Sequence, residues 1–252
     1  MRENVVSALI LIFIFVAGFG LGLIFQGPTN VGLIEEKKEV KVIPVENYKI
    51  FSEVKTKLVA VNQNGDGVLT NLTVRAIPGN GRVLVDVESI LFWIDTQQSI
   101  QIAKKVAEDY IERNITNADI TYTIDIPNTT LVGGPSAGAA FAVATIAVIE
   151  NKTIRNDTVI TGTIESDGKI GQVGGIIAKG KAVKEAGYGH FLVPMGQGEF
   201  SEYKKVETCS KYGSMKVCNI KYKKVYVNVE KEIGINVKEV SNIDEAVKYL
   251  LE

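Results

Sequence analysis

The sequence has little of the residue types that define several protein classes. Two cysteines and one histidine are too few for a disulfide-built scaffold or a four-ligand zinc site. Six prolines and 24 glycines in 252 residues exclude a collagen-like or low-complexity chain. A charge excess is also missing, since 28 Lys and Arg stand against 29 Asp and Glu. The composition therefore predicts an ordinary globular protein with no nucleic-acid partner.

One long apolar run stands out at the start of the chain. Residues 5–25, VVSALILIFIFVAGFGLGLIF, carry no charge. As a helix they would span about 30 Å, the hydrocarbon thickness of a bilayer. A cleaved signal peptide is the alternative, but its apolar core is only about 7–15 residues long. We therefore expect residues 1–26 to form an uncleaved, single-pass transmembrane anchor in the lipid bilayer.

Sequence features disagree about the side of the membrane on which the rest of the chain lies. Three lysines after the apolar run favour the cytoplasm: Lys37, Lys38 and Lys41. Five N-x-T sequons favour the outside: Asn71, Asn114, Asn128, Asn151 and Asn156. Cys209 and Cys218 flank a plausible hairpin tip, so a disulfide between them is feasible in an oxidising compartment. We expect the domain to lie on the outer face.

Strand and helix patterns alternate after a charged tether at residues 27–54, and the domain occupies residues 55–252. Predicted strands lie at 57–61, 68–77, 82–87, 120–126, 157–164 and 191–194. Predicted helices lie at 99–111, 135–149, 176–186 and 244–251. This interleaving predicts a compact α/β (or α+β) fold with a mixed β-sheet and packed helices.

One run in the domain mimics a phosphate-binding loop. It reads GIIAKGKA from Gly175 to Ala182. Ala182 replaces the Ser or Thr that binds Mg²⁺, and two isoleucines fill the loop where small residues are needed. We therefore expect no ATP binding at this run, and neither a cofactor nor a metal is expected elsewhere.

A candidate nucleophile lies in the run GGPSAG, residues 133–138. Pro135 suits the first turn of a helix, which would place Ser136 at the helix N-terminus. Backbone N–H groups there stabilise negative charge and can form an oxyanion hole, for which Gly134 and Ala137 are the candidate donors. An ordinary N-cap serine before a buried helix is the alternative interpretation.

A lysine on the apolar face of a later helix favours the catalytic interpretation. Residues 176, 179, 180, 183, 186 and 187 share one face at 100° per residue, and Lys179 is its one charged member. Burial disfavours the ammonium form, so the lysine would be neutral near pH 7 and able to act as a general base. A lysine that extends its ammonium to solvent is the alternative.

These residues together resemble the proteolytic domain of Lon proteases. GGPSAG is followed by Lys179 after 43 residues, with Thr161-Gly162 at 25 residues after the serine. The resemblance covers about residues 55–194. It implies that Ser136 is the nucleophile, Lys179 the general base and Thr161 the hydroxyl that holds the amine. It also implies a homo-oligomer and polypeptide substrates.

Three departures from the family pattern qualify the resemblance. Gly133 stands where the family usually has an acidic residue, which removes a carboxylate that would hold a proton on Lys179. Residues 199–225, with both cysteines, read as an insertion. Only some 30 residues separate the apolar run from the domain, so no ATPase domain is expected before it.

The leading hypothesis is therefore a membrane-anchored, ATP-independent Ser–Lys endopeptidase that cleaves flexible or unfolded polypeptides. A hydroxyl bonded to the neutral amine would lower the pKa of Lys179 further, so we expect Thr161→Val to raise it. A non-catalytic Lon-like binding or scaffold domain is the alternative. A Ser-His-Asp hydrolase that uses His190 is a third alternative, and the position of this lone histidine at the start of a predicted strand argues against it.

Overall fold

The computed structural model describes residues 52–86, 94–125 and 134–252. The predicted anchor at residues 5–25, the sequon at Asn128 and the departure at Gly133 lie outside the described residues. Among the helices that the structure describes, none combines the length and the apolar character needed to cross a bilayer. β1 begins at Ser52, three residues before the predicted start of the domain.

A four-stranded mixed sheet forms the first layer. β1 (Ser52–Val61) and β2 (Gly67–Pro78) pair as an antiparallel hairpin. Asn62 closes their turn, because its side-chain oxygen accepts from two backbone N–H groups at 2.9 Å each. β4 (Ala118–Asp125) is antiparallel to β2, and β3 (Val83–Val85) is parallel to β4. The strand order is β1-β2-β4-β3, which confirms the predicted mixed sheet.

The central helix is buried on all sides. α2 (Gly138–Glu150) packs against β1, β2 and α1 (Ile94–Tyr110). Its residues from Gly138 to Val148 are all buried, as expected for a helix that is apolar all round. The Tyr122 hydroxyl, which this packing also buries, lies 2.5 Å from Thr145 Oγ1 and so keeps a hydrogen-bond partner.

A second layer is built on three parallel strands in the order β11-β8-β5. The strands are β5 (Thr158–Ile160), β8 (His190–Pro194) and β11 (Asn236–Val240). A separate pair is formed by β6 (Thr163–Ile164) and β7 (Ile170–Gly171). The helices that follow are α3 (Ile176–Glu185), α4 (Val229–Ile233) and α5 (Ile243–Leu250).

Two details of these elements differ from the sequence-based prediction. The strand predicted at residues 157–164 is two strands, because the chain breaks its pairing at Thr161 and Gly162. The predicted buried face of α3 is also shorter. Ile176, Lys179 and Val183 are buried, but residues 186 and 187 are exposed because the helix ends at Glu185.

The predicted insertion is a long two-stranded ribbon. β9 (Glu199–Tyr212) and β10 (Met215–Asn228) pair over their whole length through a two-residue turn. Cys209 and Cys218 are directly opposite in this register, and their sulfurs are joined as a disulfide.

Candidate active site

Ser136 lies in a single 3₁₀ turn, Pro135–Ala137, which runs directly into α2. Pro135 supplies a preset φ at the first position of the turn. Gly134 precedes it with φ 124°, a backbone conformation that favours glycine. The serine is half-buried, so its side chain remains accessible to a ligand.

The break between β5 and β6 holds the serine segment in place. The N–H of Gly162 donates to the carbonyl oxygen of Ser136 at 2.9 Å. The Gly162 carbonyl in turn accepts from the N–H of Ala139 at 3.0 Å. Gly138 lets the two segments approach, since a Cβ there would lie 2.7 Å from the backbone nitrogen of Ile164. The position of Ser136 is therefore set by a segment 25 residues further along the chain.

Lys179 is buried on α3, with 2% of its surface exposed. Its amine donates to Thr161 Oγ1 at 3.2 Å. Ile176 and Val183, on the same face of the helix, belong to a buried apolar cluster. Desolvation by this burial disfavours the ammonium form and lowers the pKa of Lys179 to about 8.

Thr161 joins the lysine to the serine segment. Its hydroxyl donates to the carbonyl oxygen of Ser136 at 3.2 Å while its oxygen accepts from the Lys179 amine. Because the Thr161 hydroxyl donates its proton to the Ser136 carbonyl oxygen, it cannot donate the same proton to the lone pair of a neutral Lys179 amine. An oxygen acceptor interacts more strongly with an ammonium than with an amine. The expectation that Thr161 lowers the pKa of Lys179 is therefore reversed, and burial alone produces the shift.

We expect Thr161→Val to move the acidic limb of kcat/KM to lower pH. In the parent protein, the midpoint of this fall in kcat/KM towards acidic pH should lie near pH 8, because the base must be neutral and the pKa of Lys179 is about 8. Valine removes an acceptor that favours the ammonium and adds apolar surface, and both effects lower the pKa. Thr161→Ser is the matched control, since it keeps the hydroxyl and should leave the limb in place. A limb that moves upward in the valine variant would contradict this assignment.

One of the two predicted oxyanion donors already has a partner. The N–H of Gly134 donates to Thr96 Oγ1 on α1 at 3.3 Å. A substrate oxygen would have to replace this hydroxyl, whereas Ala137 lies at the junction with α2. Thr96 was not predicted, and its separation of 38 residues from Gly134 leaves no local pattern by which to find it.

The remaining candidates lie outside this hydrogen-bonded group. His190 begins β8 and faces Asp157, with 3.6 Å between Nε2 and Oδ2. Its neighbour two residues on, Leu192, supplies the carbonyl that accepts from the N–H of Thr161 at 3.0 Å. The phosphate-loop-like run from Gly175 forms the start and body of α3 and not a loop. Among the predicted site residues, Thr161 thus connects Lys179 to the Ser136 segment through the two hydrogen bonds of its hydroxyl group.

Comparison with known proteins gives an independent result. Residues 59–221 match the family described as the Lon protease (S16) C-terminal proteolytic domain. This match covers more than half of the chain and contains all three residues of the hydrogen-bonded group.

Individual relatives agree with the family match. A Lon protease from Fervidobacterium nodosum is 30% identical over 120 residues, which cover 47% of this chain and 15% of the relative. Lon protease 2 from Bacillus subtilis is 34% identical over 77 residues, 31% of this chain and 14% of the relative. A mitochondrial Lon protease homologue from Candida dubliniensis is 41% identical over 61 residues, which cover 24% of this chain and 6% of the relative. The chain thus spans a small part of the length of these relatives.

Proposed function

Because the chain belongs to the Lon protease (S16) C-terminal proteolytic domain family, we propose that it is a serine endopeptidase with a Ser136–Lys179 dyad. The observation that carries this proposal is the buried amine of Lys179, held by the same hydroxyl that binds the backbone of Ser136. A lysine with a pKa of about 8 is partly neutral at neutral pH, which a general base requires.

The proposed reaction follows from the properties of these groups. In the substrate complex, the neutral amine of Lys179 takes the proton of Ser136 Oγ, which bonds to the carbonyl carbon of the scissile peptide. The resulting ammonium returns the proton to the leaving amine, and an acyl-enzyme remains. In the second half, Lys179 takes a proton from water, whose oxygen bonds to the acyl carbon. The ammonium then returns this proton to Ser136 Oγ as its bond to the acyl carbon breaks and the carboxylic acid product is released. We assign oxyanion stabilisation to Ala137 and, once Thr96 is displaced, Gly134.

We further propose that the activity does not depend on ATP and acts on flexible or unfolded polypeptides. The run that mimics a phosphate loop folds as α3 and carries the general base, so it is not available for a nucleotide. In an ATP-independent reaction a substrate must already be extended to enter the site, where it would add as a strand.

We also propose that residues 5–25 anchor the protein in a membrane with the domain on the outer face. The asparagines of four sequons are exposed, and so they are accessible for glycosylation: Asn71, Asn114, Asn151 and Asn156. The disulfide between Cys209 and Cys218 is a bond that persists in an oxidising compartment.

The experiment that tests the proposal is degradation of an unfolded, casein-like substrate by the full chain in detergent without ATP. We expect cleavage of the unfolded substrate, no stimulation on adding ATP, and no cleavage by Ser136→Ala. A folded protein of similar size, offered in parallel, should remain intact. Absence of cleavage by the parent protein together with retained binding of the casein would indicate a scaffold domain instead.

A further inference from the structure

The β9–β10 ribbon, residues 199–228, is exposed on both faces over nearly its whole length. Its strands are hydrogen-bonded to each other and to no other strand of the described part of the chain. The outer N–H and C=O groups of both strands are thus open to a further strand. Fourteen residues per strand correspond to a length of about 45 Å at about 3.3 Å per residue.

The ribbon is cationic. It contains seven lysines and three glutamates, a net charge of +4, whereas the rest of the chain has a net charge of −5. Alternation along β9 and the register with β10 place lysines on both faces of the ribbon. One face has Lys205, Lys211, Lys216 and Lys224, and the other has Lys204, Lys221 and Lys223.

Exposed tyrosines alternate with these lysines. Tyr203, Tyr222 and Tyr226 lie on one face and are 70%, 68% and 84% exposed. The amine of Lys224 lies 5.6 Å from the centre of the Tyr226 ring. Tyrosine rings beside lysine ammonium groups give this face both apolar and cationic contact surface. Charge and ring surface together favour a negatively charged, extended partner.

The base of the ribbon is connected to the proposed catalytic residues. Gln197, two residues before β9, accepts from the N–H of Val173 at 2.9 Å and donates to its carbonyl at 2.8 Å. Val173 lies three residues before α3, which carries Lys179. β8, which leads into the ribbon, also bonds to Thr161 through Leu192. The base of the ribbon is therefore connected by hydrogen bonds to the elements that carry Lys179 and Thr161.

We propose that the β9–β10 ribbon captures acidic, extended segments of a polypeptide substrate while another part of the same substrate occupies the site at Ser136. The captured segment pairs with an open edge of the ribbon through main-chain hydrogen bonds, and its carboxylates face the lysines. This inference rests on the proposed peptidase function and adds a substrate class to it.

The distribution of lysines argues against two other occupants. A stable interface with a second copy of the chain has a core depleted of charged residues, and lysine is disfavoured there. Binding in the plane of a bilayer needs one apolar face. Neither face of the ribbon is free of lysine.

The length of the ribbon makes the proposal specific. A peptide of six residues extends over about 20 Å and cannot occupy both the site and the distal half of a ribbon about 45 Å long. A long substrate can occupy both, and the second contact raises its effective concentration at the site. Capture should therefore lower KM for long acidic substrates relative to short ones.

The test compares two variants of the full chain that lose the same charge. Lys211→Gln, Lys216→Gln and Lys224→Gln together remove three charges from the face of the ribbon that carries the tyrosines. Three exposed lysines outside the ribbon form the control: Lys105→Gln, Lys169→Gln and Lys248→Gln. The ratio of KM for an unfolded acidic polypeptide to KM for a hexapeptide with the same cleavage sequence should rise at least tenfold in the ribbon variant. The control should keep the parent ratio.

Binding measured without catalysis separates this inference from the peptidase function. In the Ser136→Ala background, the Kd for a labelled acidic polypeptide should rise at least tenfold on adding the ribbon substitutions. An unchanged Kd and KM ratio would overturn the capture role even if the parent protein cleaves casein. It would also be overturned if the ribbon variant changed the oligomer mass or vesicle binding but not polypeptide binding, or if single-stranded DNA bound the ribbon as tightly as the acidic polypeptide.

Discussion

Ser136→Ala is expected to lower kcat on an unfolded substrate by more than about 10³-fold, and Lys179→Ala by a similar factor. The double variant should be no slower than either single variant. A serine without its base and a base without its serine are equally unable to form the acyl-enzyme, so the two losses do not add. The indirect connection of both residues through Thr161 is the structural basis of this expectation.

Matched controls distinguish this loss from a general effect of substitution. Lys181→Ala changes an exposed lysine on the same helix, and Ser166→Ala changes an exposed serine in the turn before β7. Both should keep kcat within about twofold of the parent, as is usual for surface substitutions. Retained activity in Lys179→Ala together with loss in His190→Ala would show that the dyad is wrongly assigned.

Lys179→Met is expected to make the inactive protein more stable than the parent. The pKa of Lys179 is about 8 in the folded state, below the ordinary value of 10.5, because burial disfavours the ammonium. Below pH 8 the lysine is protonated in both states, and the folded state carries the full penalty of burying the charge. This penalty corresponds to about 3 kcal/mol, which a neutral side chain of similar length would remove.

The pH dependence of this gain is the diagnostic measurement. Between pH 8 and 10.5 the unfolded state still binds the proton that the folded state has released, so the parent gains stability relative to the variant as pH rises. Chemical denaturation at pH 7 should show a difference of about 3 kcal/mol, and most of it should be gone at pH 10. Lys181→Met should stay within about 0.5 kcal/mol of the parent at both values. A constant difference for Lys179→Met would show that its ammonium is not desolvated.

Much of the fold could be predicted because its signals are local. The β1–β2 hairpin follows from alternating residues around the NQNGDG turn, and α2 follows from an uninterrupted apolar run. α4 and β11 were missed. α4 has only five residues, and β11 alternates partly buried and exposed positions without an apolar face that a pattern could detect. Such elements form because of their neighbours in the fold.

The candidate site shows the same division. The sequence selected Ser136 as a helix start and Lys179 as a lysine on an apolar face with 3.6-residue periodicity, and it selected Thr161 through its resemblance to the Lon proteolytic domain. It could not determine how the three groups are connected. The break of the strand at Thr161 lets this residue contact the serine segment and the lysine together.

The sequence by itself thus determined the type of the main elements and the identity of the candidate residues. Tertiary structure alone decided the direction of the Thr161 hydroxyl, and with it the sign of its effect on the pKa of Lys179. Only tertiary structure also placed Thr96 against Gly134. The physical reason is that periodicity reports which side of an element is buried. The partner of a hydrogen bond depends on segments 18 to 38 residues apart, which only packing brings together.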